Sequence, residues 1–338
     1  MNAKNTVPDP RTLRAALELA NRAPSLNNTQ PWRWLIGDTS VHLYADQARR
    51  LAAADPAGRE LVISCGALLH HARIAFGSLG WRARVHRLPN PTEPEHLAAL
   101  EFGQLPWMDA RAVRLAGAIS RRHSDRRPFL PDPVPAELLG RLVTAAETEQ
   151  VLLTVATAKA GRRELTVALA QANGARRGDS AYLSELAAWA ARSHVSSDGV
   201  PASSLRAPDP FGRSVLGRDF SAAGAGELAA APVDDGAELA VISTERDDRR
   251  SWLQAGEALS AVLLEATAAG LATCTLSQVA DSAVVRDLVR FGVLDGQGEP
   301  QLAVRIGWPI TAEFPAALTR RRPLSEILER LRPLDRAQ

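Results

Sequence analysis

The stretch SCGALLHHARIAFGSLGW, from Ser64 to Trp81, can be laid on QAGEALSAVLLEATAAGL, from Gln254 to Leu271, at a constant shift of 256 − 66 = 190 residues. Gly66, Leu69 and Gly80 then meet Gly256, Leu259 and Gly270. Each stretch reads as a long, mostly apolar helix closed by a glycine where a left-handed cap is least costly. A helix apolar on most of its circumference belongs in a core, so this chain must fold around two of them. A short apolar strand precedes each helix, VHLYAD from Val41 and ELAVIS from Glu238. A strand-like run ending in Gly and Pro follows each, LAALEFGQLP from Leu97 to Pro106 and QLAVRIGWP from Gln301 to Pro309. Three matching elements in the same order imply an internal duplication.

The two halves differ in what they insert. The first has only a turn around Gly37 to Ser40, whereas the second, after QVLLTVAT, makes an excursion from Ala158 to about Gly236. The excursion opens with two stretches of helical spacing, ELTVALAQANGARR and YLSELAAWAARS, and continues as a segment rich in Pro, Gly and Ser. A loop this long inside a compact domain is functional or mobile. Further breaks fall at LPNPTEP, from Leu88, and at RRPFLPDPVPAE, where the second half begins.

Composition narrows the partners. At 338 residues and 46% hydrophobic, the chain can bury a large core. Its formal net charge is only +2, with acidic residues interleaved among the arginines and Lys at positions 4 and 159 alone. That balance gives no footing for a nucleic acid. The N-terminal MNAKNTVPDPR has no apolar leader, and the apolar run from Ala258 to Ala272 is broken by Glu265 and too short for a bilayer. A soluble, cytoplasmic protein with no membrane partner is expected. Cys65 and Cys274 form no metal or CxxC spacing and read as buried packing residues.

Two short strings carry the chemistry. In RRHSDRRPF, from Arg121 to Phe129, residues Arg122, Ser124 and Arg126 alternate. On an extended segment they project to one side and present two guanidinium forks with a hydroxyl between them, which suits a phosphate. A solvated basic loop before a proline has the same composition. In RAPSLNNTQPWRW, from Arg22 to Trp34, Pro24 and Ser25 read as a turn, and Asn28 and Gln30 offer amides for a planar polar edge. The same residues also fit an Asn-rich turn leading into a strand with Trp32 and Trp34 as core.

Together the strings resemble the FMN-dependent nitroreductase superfamily, and the arrangement looks like its actinobacterial Acg-type branch, in which one chain imitates the usual dimer. The likeness runs from about Arg11 to Leu328. In that family the RRxS-type string opens the subunit and holds the cofactor phosphate, while the PSxxNxQPW-type string reaches the flavin ring of the partner. Here they occur in reverse order, which fits two fused repeats. The resemblance implies an α+β, nitroreductase-like α/β sandwich, with a reduced repeat over residues 11–110 carrying the ring-side string. A second repeat over 112–330 would carry the phosphate-side string and a lid at about 194–226. It implies one FMN per chain, with NAD(P)H as a transient reductant, and a monomer. The cofactor-binding candidates are Pro24, Ser25, Leu26, Asn28 and Gln30 on the ring side, and Arg122, His123, Ser124 and Arg126 on the phosphate side. GLATCTL, from Gly270, resembles the family's "GLGT" turn and adds Thr275, Leu276 and Ser277. TRRRPLSEIL, from Thr319, resembles its basic C-terminal segment and adds Arg320 and Arg322.

Departures bound what carries over. The first half has no RRxS string and the second no PSxxNxQPW string, so one composite site is expected rather than two. Ser277 and Gln278 stand where many family members have an acidic residue and Gly. No GxGxxG, GxSxG or P-loop is present in a suitable context, and adjacent His70 and His71 point about 100° apart on a helix, unsuited to one metal. Catalytic residues stay unassigned. Two functions remain open: a flavin oxidoreductase reducing nitroaromatic or quinone-like acceptors, or a protein that sequesters FMN under a lid with little turnover and no acceptor.

Overall fold

In the computed structural model of the protein, residues 7–193, 196–201, 235–311 and 319–330 are described. The first half opens with helix α1, Pro10–Ala20. Asp9 caps it, its carboxylate accepting from the backbone amides of Arg11 and Thr12, with Pro10 at the first helical position. Strands β1 (Trp32–Ile36) and β2 (Ser40–Ala45) form a hairpin closed at Gly37 and Ser40. Along β2 the buried positions alternate, so Val41, Leu43 and Ala45 face the core. Helix α2 (Arg59–Ser78), strands β3 (Trp81–Arg87) and β4 (His96–Gln104) and helix α3 (Ala110–Ile119) complete this part.

The second half runs α4 (Ala136–Thr148), β5 (Leu152–Val155), α5 (Lys159–Arg176), α6 (Ser180–Arg192), β6 (Glu238–Thr244), α7 (Arg249–Ala268), β7 (Ala272–Leu276), α8 (Ala283–Gly292) and β8 (Glu299–Gly307). Its strands form an antiparallel sheet in the order β5-β6-β8-β7. The chain then returns to the first half. After helix α9 (Leu324–Ile327), strand β9 (Leu328–Arg330) pairs in parallel with β1, Trp34 opposite Leu328, and completes a five-stranded sheet ordered β3-β4-β2-β1-β9.

Each sheet covers its own apolar cluster. Trp32, Trp34, Leu43, Leu69, Phe76 and Leu100 fill the first, and Leu153, Ile242, Leu259, Val262 and Val304 the second. Between the sheets lie α2 and α7, which pack on one another, and the half-buried Trp252 touches both clusters. The long helix begins at Arg59, earlier than the sequence pattern marks, and Trp81 starts β3 instead of ending it. Gly80 and Gly270 follow the two helices with φ of +82° and +84°, the left-handed conformation that favours glycine. By length and composition α2 is the candidate span, in place of the run at Ala258 to Ala272, but 89% of that window is buried inside the protein.

The expected helices at the start of the excursion are α5 and α6. Of the proposed lid at 194–226, Ser196–Pro201 is described; residues 194–195 and 202–226 lie outside the described residues.

Candidate functional site

The segment after α1 holds an unusual backbone. Asn27, Asn28 and Gln30 have φ of +47°, +56° and +49°, the left-handed region that Asn tolerates and Gln rarely enters. Surroundings that over-determine the segment hold it there, and such strain clusters at functional sites. Ser25 Oγ accepts from the Gln30 amide at 2.9 Å, and the Leu26 amide donates to Ser64 Oγ at 3.3 Å. Pro24 is half-buried just ahead of this turn. Asn28 Nδ2 donates to the carbonyls of Gly199 (3.1 Å) and Arg320 (3.3 Å), and Gln30 Nε2 to that of Ser197 (2.9 Å). Asn28 Oδ1 is buried and has no hydrogen-bond partner among the described residues. A buried acceptor in that state wants a donor.

The phosphate-side string begins where α3 ends. Ser124 forms a parallel bridge with Thr273, and the Asp125 amide donates to the Thr273 carbonyl at 2.8 Å, so the string runs beside β7. Arg122 is 6% exposed and has no carboxylate partner among the described residues. Burial, and then the Arg22 guanidinium, push it down to about 10. Arg321 is pushed down to about 9 by burial, Arg122 and Arg22. Three guanidinium groups thus share one region, and the Nε of each is buried without a hydrogen bond among the described residues. Arg321 spends its other nitrogens on the carbonyls of Thr319, Arg320, Arg22 and Ala23.

A strap crosses the ring-side string. Asp198, 4% exposed, accepts from Arg49 and Arg192, and Ser196 Oγ also donates to it. Burial opposes ionisation there, but hydrogen bonds from Arg192, Ser196 and Arg49 outweigh it and hold the carboxyl well below the usual range. Arg49 also donates to the Thr29 carbonyl, and both arginines lie over the Trp189 ring, at 5.5 and 4.8 Å from its centroid. Beneath, Leu51, Tyr182, Leu186 and Val200 form an apolar cluster against which Leu26 packs.

Comparison with known proteins gives the family. The nitroreductase family profile matches residues 119–308. The "Putative NAD(P)H nitroreductase Rv3131" of Mycobacterium tuberculosis is 42% identical over 331 residues, 97% of this chain and 94% of that one. The chain belongs to the nitroreductase family. The "Putative NAD(P)H nitroreductase acg" of the same organism is 39% identical over 93% of this chain and 94% of its own. Among solved structures, the FMN-dependent nitroreductase NfnB from Mycobacterium smegmatis, in complex with NADPH, is similar at 19% identity and a TM-score of 0.43, over 64% of this chain and 97% of that one.

The nitroreductase strings are brought together unevenly. Arg122 and Ser124 lie at the junction of α3 and β7, and His123 Nδ1 donates to the Arg121 carbonyl at 3.1 Å. Arg126 is half-buried one residue beyond the Thr273 contact. Of the C-terminal arginines, Arg320 is exposed, and Arg322 is engaged by Glu326, Asp46 and the carbonyl and side chain of Gln30. Arg321, between them, is the one that joins Arg122. Thr275 is half-buried in β7, Ser277 opens a short 3-10 turn, and Leu276 packs into the core beside Leu239 and Val279. Its side chain is therefore taken up by the core. Sequence reading passed over Arg22 and Arg321, though both stand inside the quoted strings; the missing signal was that neither meets an acid among the described residues. His70 and His71 both bond Ser260 Oγ at 2.7 Å, a packing role, and among the described residues no group of three ligating side chains could hold a metal.

Proposed function

We propose that this chain binds one FMN between its halves and passes two electrons from NADH or NADPH to a nitroaromatic or quinone-like acceptor. One observation carries the reading: among the described residues, Arg22, Arg122 and Arg321 share a region with no matching acid, and Asn28 Oδ1, on the segment that leaves Arg22, has no partner. A phosphate dianion satisfies the first and a ring N–H the second. The residues therefore fit FMN. When bound, FMN supplies the redox chemistry, and the protein supplies binding and electrostatics. Arg122, Ser124 and Arg321 would hold the phosphate, with His123 and Arg126 beside them. Asn28, set by Pro24 and Ser25, would accept from the ring, and Thr275, the Leu276 backbone and Ser277 would line the other edge. Gln30, Arg320 and Arg322 act through the C-terminal segment and the strap. The names of the mycobacterial relatives support an NAD(P)H-dependent reaction.

Residues 11–110 and 112–330 are read as two family repeats fused into an internal pseudo-dimer. Contacts that recur at the 190-residue shift support this, since an isologous interface pairs each patch with its own copy. The reading includes a monomeric, cytoplasmic protein that acts on a small-molecule acceptor, without nucleic-acid or membrane partner. The test is direct. Purified protein should release about one equivalent of FMN, and anaerobic stopped-flow mixing with NADH or NADPH should bleach the flavin absorbance. Release of FAD, or no flavin uptake at all, overturns the reading.

The strap favours a second reading, FMN sequestration with little turnover. Asp198 is clamped by two arginines over the ring-side string, which would bar nicotinamide and acceptor alike. Bound FMN that neither nicotinamide reduces, while dithionite does, decides for it.

A further inference from the structure

Arg22 belongs to neither set of residues that the family strings would assign to the cofactor. It stands two residues past α1, where Leu19 packs against the cluster of Leu115 and Ile119 on α3. That contact brings the ends of α1 and α3 together, and with them the arginines that follow each helix. Arg321 then reaches across from the C-terminal segment, its Nη2 donating to the carbonyls of Arg22 (3.1 Å) and Ala23 (3.2 Å).

Charge matching sets this trio apart from the most buried arginines elsewhere among the described residues. The buried Arg59 and Arg305 meet acids, Asp247 and Asp235, and the half-buried Arg73 meets Glu149 and Glu257, whereas the half-buried Arg162 donates to the carbonyls of Asp235 and Ala237. Among the described residues, Arg22, Arg122 and Arg321 meet no acid. Two guanidinium groups suffice to neutralise a phosphate monoester, which carries about −1.5 to −2 at pH 7. A third, from the other half of the chain, makes the site demand the dianion. We propose, resting on the FMN reading above, that Arg22 is a third phosphate-binding cation supplied by the first half, and that it makes the site select a phosphorylated flavin over riboflavin.

The same charge could come from the cofactor's phosphate or from free phosphate, and a merely structural Arg22 would instead stabilise the C-terminal end of α1 through its dipole. Titration of flavin-stripped protein with FMN, riboflavin and inorganic phosphate separates these. Arg22→Ala should weaken FMN binding about 10- to 100-fold, as loss of a charge-assisted contact does, and leave riboflavin binding unchanged. Arg22→Lys should recover part of the loss, and phosphate should compete with FMN but not with riboflavin. Equal FMN affinity in wild type and Arg22→Ala overturns the proposal, as does an equal loss for both flavins. Arg22→Gln is the second variant if Arg22→Ala does not fold. Wild-type protein that takes up neither flavin overturns the FMN reading itself. Inorganic phosphate that raises the Tm of wild type but not of Arg22→Gln then still upholds the anion site, and an equal rise refutes it.

Discussion

Gly66 lies against Gly256 where α2 crosses α7, backbone to backbone. A Cβ on Gly66 would stand 2.0 Å from the Leu253 carbonyl oxygen and 3.0 Å from the Gly256 Cα, and one on Gly256 would stand 1.9 Å from the Ile63 carbonyl oxygen. Both contacts are one contact seen from either side, since 253 − 63 and 256 − 66 each equal 190. His70 and Ser260, also 190 apart, meet on the same line.

Gly66→Ala should therefore separate the two helices at their point of closest approach. Overpacking of this kind costs about 3 kcal/mol or more when backbone is the obstacle, read as a lower urea midpoint. Gly140→Ala, on an exposed face of α4 with nothing within 4 Å of the added Cβ, should instead stabilise by about 0.5 to 1 kcal/mol. Two variants that behave alike would mean that the crossing is not as close as described.

Asp198→Asn should loosen the strap. Charge-assisted contacts of about 1.5 to 3 kcal/mol are lost, so opening becomes about 10- to 100-fold more frequent. Hydrogen exchange at Ser196 to Val200 reads this without any flavin. With a folded-state pKa held below the ordinary 3.8, the Asp198 clamp contributes fully above that value and is lost only as pH falls through the lower one. Protection that disappears already at pH 5 would show that another group holds the strap.

His71 should make the fold acid-sensitive. Burial, then Arg122, His70 and Arg321, keep its ring neutral and its pKa well below 6.5, while the unfolded chain takes up the proton near 6.5. Stability is therefore full above 6.5 and falls as pH drops below it, by about 1.4 kcal/mol per pH unit for this one group. His71→Asn should reduce the slope of unfolding free energy between pH 6.5 and 5 by that amount. An unchanged slope would mean that the ring is already charged in the folded protein.

Glu257→Ala should be among the most damaging single changes. The carboxylate is 0% exposed and accepts from Arg87 Nε (2.6 Å), Arg87 Nη2 (2.9 Å) and Arg73 Nη1 (2.9 Å), tying β3 and α2 to α7. Removing one member of a buried ion network costs about 3 to 5 kcal/mol. Thermal unfolding would measure it, and a loss below about 1 kcal/mol would place the arginines in solvent instead.

Local order was written in the sequence. The two apolar helices, the glycines that end them, and strands β2, β4, β6 and β8 follow from periodicities of 3.6 and 2 that need only a few neighbouring residues to read. The strings at Arg22–Trp34 and Arg121–Phe129 were likewise visible as residue types. What they touch was not. Strand β9 has three residues and no pattern of its own, and it exists because β1 offers an open edge. Asn28 and Gln30 read as cofactor ligands, yet their amide donors hold the carbonyls of Ser197, Gly199 and Arg320, partners 167 to 292 residues away. Arg321 instead of Arg320 or Arg322 joins Arg122, because the neighbours of each decide which guanidinium is neutralised by Glu326 and Asp46 and which is left among cations. Helix and strand formation depends on near neighbours along the chain. Charge matching, close backbone approach and satisfied hydrogen bonds depend on near neighbours in space, and those are set only when the two halves have closed on each other.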